Sequence, residues 1–218
     1  YSSVRGAVNM SGGSISGNTA KTYGGGILNM EGSFNMTAGN ITGNKVTSSE
    51  YGNGGGVYNL QYGTFTMSGG TITRNTSANV GGGVSNSSTF TMSGAAVISY
   101  NEAANKGGGM YNSFGAVNMN GGTITNNTAS EGGGVYHSYG ESSVMIVSGA
   151  LKITGNGNGN TESNLYIYES KWPVTAENLS NDARIGISAS TADTGTLVKN
   201  STDTTVFFSD VSGYKLVS

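Results

Sequence analysis

The sequence predicts an all-β fold, a right-handed parallel β-helix (solenoid) of about six coils of three short strands, closed by a C-terminal β cap. Three observations predict it. The first is an internal repeat: 65–86 reads FTMSGGTITRNTSANVGGGVSN, 117–136 reads VNMNGGTITNNTASEGGGVY, and 8–29 reads VNMSGGSISGNTAKTYGGGILN. The second is alternation within each copy, Phe65 in, Thr66 out, Met67 in, which is the period of a strand with one buried face. The third is that no stretch carries a 3.6-residue apolar period, so no helix is expected.

Each element of the repeat has a physical reason. The frame is Φ-x-M-S-G-G-T-I-T-x-N, a variable loop, then G-G-G-Φ-Y-N, where Φ is apolar. Its methionines stand at 10, 36, 67, 92 and 119, spaced 26, 31, 25 and 27 residues apart. That spacing suits a coil of three strands joined by turns. A single copy cannot bury its apolar face, but stacked copies align like positions one above another. The expected inner columns are Val8, Phe34, Phe65, Phe90, Val117; Met10, Met36, Met67, Met92, Met119; Ile15, Ile41, Ile72, Ile98, Ile124, Ile153; and Ile27, Val57, Val84, Met110, Val135, Leu165. The Gly-Gly-Gly runs before the third strand mark a corner that needs positive φ or close backbone approach. Asn18, Asn44, Asn75, Asn101, Asn127 and Asn156 close the second strand, and Asn29, Asn59, Asn86 and Asn112 close the third. Stacked amides there can bond along the ladder.

Composition narrows the partners. Charged residues make up 10% and the net charge is −2, with no basic stripe, so neither nucleic acid nor an anionic membrane is expected as partner. No apolar run is long enough for a membrane helix. The absence of cysteine excludes disulfides and Cys-based zinc sites. The chain begins at Tyr1 and reads as a piece of a longer protein. Residues 1–170 read as the repeat domain and 171–218, which lack the M-S-G-G frame and hold all four Asp residues, as a cap on the same solenoid.

Over roughly residues 6–170 the S-G-G-x-I and Gly-Gly-Φ-x-N motifs resemble those of pectin-lyase-like β-helix surface proteins, among them, as close relatives in pattern, adhesin-like proteins of gut bacteria and archaea and polymorphic outer-membrane-type proteins. The resemblance implies a non-catalytic, extracellular, cell-surface module of a larger bacterial protein, an adhesin segment or rigid stalk. It implies host or microbial glycans or surface proteins as partners, and a monomer.

The residues present argue against an enzyme. Polysaccharide-cleaving β-helices use clustered carboxylates with basic residues, yet 1–181 hold no Asp and only Arg5 and Arg74. Glu102 and Glu131 fall in loops of successive coils, where a glycosidase-like carboxylate separation is conceivable. The plainer reading is loop solubility. The only histidine, His137, takes the place of a third-strand Asn and reads as a substituted ladder position rather than a ligand. No catalytic residue, metal or cofactor is expected. The candidate ligand-binding residues are Tyr58, Tyr111, Tyr136 and Tyr166, an outward column that could stack on sugars or partners, or simply stabilise itself. A carbohydrate-binding or carbohydrate-active β-helix is the alternative function. A Thr-x-Thr array (Thr71/Thr73, Thr123/Thr125), interrupted by Val97 and Lys152, leaves ice binding as a minor one. The loops 19–23, 45–53, 76–80, 102–106 and 128–131 form a variable corner that is a further candidate face.

Overall fold

Alternating apolar residues in near-identical copies leave the chain one economical arrangement, parallel stacking in register, and the computed structural model has it. It describes residues 6–138, 140, 143–169, 173–189, 197–199 and 204–210. Arg5, Asp193 and Asp203 lie outside these. The third-strand column runs Ile27–Val57–Val84–Met110–Val135–Leu165–Ile187, which gives about seven turns. That is one more than the count of M-S-G-G copies, because the seventh keeps the pairing without the motif. The other three columns also stack as expected, Met10 on Met36, Met36 on Met67, and Ile98 on Ile124. Among the described residues there is no α-helix, only a 3-10 turn at Thr204–Val206.

The core is the inside of the coils. Phe34, Phe65 and Phe90 are buried and stack with ring centroids 4.9 and 5.0 Å apart. Such pairs add about 0.5–1.5 kcal/mol each beyond area burial. The column opens at the first coil, where Val8 is 58% exposed.

Two features differ from the three-strand expectation. First and second strands often run together, as in Ala7–Ser16, Ser33–Thr42, Thr89–Ser99 and Ala116–Thr125, with a register shift absorbing the bend. The variable corner is also not a set of loose loops. Thr19–Ala20, Lys45–Val46, Thr76–Ser77 and Glu102–Ala103 form a fourth parallel ladder with a small buried column of Val46, Ser77 and Ala103.

The triple glycines act as the sequence requires, by two mechanisms. Gly107 has φ 65°, a left-handed turn. A Cβ on Gly108 would strike the Thr128 carbonyl, and one on Gly109 would lie 2.6 Å from the Gly134 carbonyl oxygen. Only hydrogen lets the corners nest.

In the seventh turn one strand, Arg184–Ala189, pairs with both Lys152–Thr154 and Leu165–Ile167. Ile153 and Leu165 are twelve residues apart, whereas their partners Ile185 and Ile187 are two apart. The corner is deleted and the last turn tapers, with Phe207 stacked over Ile185.

Candidate ligand-binding face

A polar spine of stacked asparagines fixes the corners of the solenoid. At the second-strand corner each Asn donates one amide hydrogen to the next Asn. Asn44 Nδ2 donates to Asn75 Oδ1 at 3.0 Å, Asn75 to Asn101 at 2.9 Å and Asn101 to Asn127 at 3.0 Å. The second hydrogen goes back to the preceding coil, as from Asn101 to the Ile72 carbonyl at 2.9 Å. Each Oδ1 also accepts a backbone N–H, as from Asn75 N to Asn101 at 3.0 Å. All four bonding positions of a buried amide are thus filled. A chain of donors pointing one way needs a terminal acceptor. Asn156 donates to Asn164 Oδ1 at 2.9 Å, and Asn164 donates its Nδ2 and backbone N–H to Asp210 at 2.7 and 2.6 Å. Burial raises the Asp210 pKa, and the two Asn164 bonds offset only part of that rise.

The third-strand ladder runs Asn29, Asn59, Asn86 and Asn112 at 2.8 Å per step and stops at His137 Nδ1, 3.3 Å from Asn112 Nδ2. A donating Asn112 makes His137 the acceptor there, so its proton sits on Nε2. That Nε2 is buried with no hydrogen-bond partner among the described residues. Burial pushes the imidazole pKa down to about 4. The next residue in the column is Ile167, so the ladder cannot continue. His137 therefore occupies a substituted ladder position, as the sequence leads one to expect, and it also ends the ladder.

The tyrosine column pairs in register, Tyr58 with Ser85, Ser85 with Tyr111, Tyr111 with Tyr136 and Tyr136 with Tyr166. It is not the exposed platform expected from alternation. Tyr58 and Tyr136 are buried, and Tyr111 and Tyr166 are half-buried. The reason is a row of bridged residues that follows the fourth ladder (Tyr23, Asn53, Val80, Lys106 and Glu131, paired in sequence) and meets the third strand, where Ser85 donates to Asn53 Oδ1 at 3.2 Å. Tyr23 packs on Tyr58 with centroids 5.4 Å apart. Lys106 Nζ sits 4.6 Å over the Tyr136 ring, donates to its hydroxyl at 3.1 Å and lies 3.7 Å from Glu131. Tyr136 stacks between Tyr111 and Tyr166, at 5.7 and 5.1 Å. Its phenol pKa is raised, by burial first and then by Glu131.

What this arrangement offers to a ligand is Tyr111. It lines an open cleft of about 390 Å³ with Asn79, Asn105, Lys106, Ser130 and Glu131. An aromatic wall flanked by amides, a hydroxyl and a paired ammonium and carboxylate suits a polyhydroxylated ring. Of the four predicted site residues, the structure leaves Tyr111 at a cleft and makes Tyr136 its support. Sequence reasoning missed Lys106 as the pin of this cluster. The two carboxylates considered for catalysis stand in different columns, Glu102 level with Thr128 and Glu131 level with Lys106. In the hydroxyl array, Thr71 donates to Asn40 Oδ1 at 2.6 Å and Ser99 to Thr73 at 3.4 Å, so several hydroxyls are already engaged. Among the described residues no helix is long and apolar enough to cross a membrane.

The fold and this face define a parallel β-solenoid with an aromatic, polar cleft beside its third-strand column. Comparison with family models, with curated proteins and with solved structures found no match.

Proposed function

We propose that the chain is a non-catalytic module of an extracellular cell-surface protein, a rigid stalk that also presents an adhesive cleft. The observation that carries this reading is the pair of side-chain ladders running along the stack, which spend the buried polar residues on axial rigidity. The repeat's resemblance to adhesin-like β-helix proteins supports the surface location and the bacterial setting. Pinning Glu131 to Lys106 favours a structural over a catalytic role for that carboxylate. Host or microbial glycans or surface proteins are the partners this reading predicts.

A second reading, a carbohydrate-binding β-helix, is favoured by one feature, the lining of the Tyr111 cleft. Both are tested by a glycan and host-protein array probed with the chain and with Tyr111→Ala. Binding that is lost in Tyr111→Ala supports an adhesive cleft. Binding to glycans alone favours the second reading. Silence across the array would leave the stalk without adhesion.

A further inference from the structure

Tyr100, like Tyr62 and Phe114, is an aromatic residue standing where the backbone disfavours it. The residue before each second-corner Asn is left-handed in six coils: Gly17, Gly43, Arg74, Tyr100, Asn126 and Gly155, with φ between 54 and 68°. Three coils solve this with glycine. A Cβ at Gly17 would meet nothing within 4 Å, so the position constrains conformation and not size. A bulky residue there is a genuine outlier, and such strain gathers at functional positions. Tyr100 adopts it with φ 55° while 57% exposed, so core packing does not explain its presence.

Its surroundings give a reason. Tyr100 lines an open cleft of about 380 Å³ shared with Asn126, Thr128, Asn160, Thr161 and Glu162. The far wall is the corner of the sixth coil, held in a tight turn by Asn158 Oδ1, which accepts the backbone N–H of Asn160 and Thr161 at 3.0 Å each. The Arg74 guanidinium lies 5.7 Å from the Tyr100 ring centroid. Glu162 accepts from Asn164 Nδ2 at 3.2 Å. One cation and one anion, each already engaged, leave amides and hydroxyls as the polar lining.

We propose that the cleft between Tyr100 and the 157–162 corner is a second binding site, separate from the Tyr111 cleft, which takes a neutral pyranose unit of a glycan against the Tyr100 ring. Aromatic faces stack on the C–H face of a sugar ring, and Asn and Thr side chains satisfy its hydroxyls. An acidic sugar would meet Glu162.

The test is calorimetric titration with cellotetraose, mannotetraose and lacto-N-tetraose, beside tetragalacturonate, on the Tyr111→Ala chain. In that background the signal comes from the Tyr100 cleft and not from the Tyr111 cleft. One neutral tetrasaccharide should bind, and adding Tyr100→Gly should weaken it about tenfold or more. Because glycine relieves the left-handed backbone, Tyr100→Gly should keep or raise the melting temperature, so lost binding cannot be laid to misfolding. Equal affinity with and without Tyr100→Gly would overturn the proposal. So would no binding to Tyr111→Ala, even if the unmutated chain binds, a result that would leave the Tyr111 reading standing. Preference for tetragalacturonate would overturn the ligand class.

Discussion

The two asparagine ladders share one chemistry and end differently. The second-corner ladder passes from Asn18 to Asn164 and finishes on a carboxylate, Asp210, which only accepts when ionised. The third-strand ladder finishes on the imidazole of His137, which accepts only while neutral and leaves its other nitrogen without a partner among the described residues. A one-way chain of amide donors is stable when its last member meets an acceptor. The first ladder meets this with charge, the second with a tautomer. The first should therefore be the stronger spine, and the second the acid-sensitive one.

The largest break comes from the middle of the longer ladder. Asn101→Ala removes an acceptor for two Asn75 donors and a donor to Ile72 and Asn127. Leaving such groups unsatisfied in the interior costs about 1–3 kcal/mol apiece, so a loss of about 3–5 kcal/mol is expected in urea unfolding. Asn86→Ala should cost less, because the backbone N–H that Asn86 Oδ1 accepts, from Ser88 at 3.4 Å, is a long bond.

The next effect is pH. The folded His137 pKa of about 4 lies below the ordinary value of 6.5. Between these values the unfolded chain binds the proton and the folded chain does not, so acid favours unfolding. The contribution is whole above pH 6.5 and is lost as pH falls towards 4, on the order of 3 kcal/mol in all. His137→Asn should flatten that slope in thermal melts across the window, since an amide there accepts from Asn112 without titrating. Asp210 works in the opposite sense. Its raised pKa means the folded chain takes up a proton first, so acid favours folding at that end. His137→Asn should unmask this opposing trend.

The smallest effect belongs to the taper. Asp210→Ala leaves Asn164 N–H without its acceptor, while Nδ2 keeps Glu162. A loss of about 1–2 kcal/mol is expected, with faster hydrogen exchange confined to the last turns.

Most of this spine was legible in the sequence. The columns of Phe, Met, Ile and Asn recur together at steps of 25 to 31 residues, and His137 stands in an Asn position. Asn164 was not legible, because it follows Asn156 by eight residues where the ladder step is otherwise near the repeat length. Asp210 lies where the motif has faded. The exposure of the tyrosines was misjudged for a different reason. Alternation tells which side of a strand a residue faces, and not whether a neighbouring element covers that side. A signal for the fourth ladder, which leads into that cover, was present, since Asn18-Thr19-Ala20, Asn44-Lys45-Val46, Asn75-Thr76-Ser77 and Asn101-Glu102-Ala103 share a short pattern just after the ladder Asn. Two-residue strands are too short to carry an alternation of their own. The cleft at Tyr111 depends on Lys106, which a lone surface lysine in a loop does not announce.

Incubating the intact chain with the oligosaccharides it retains, and following both bound fraction and product mass, tests the central claim most directly. A non-catalytic adhesive rod predicts retention with every sugar recovered at its starting mass. Shorter or unsaturated products, formed in proportion to the amount of chain, would contradict it and make this solenoid an enzyme.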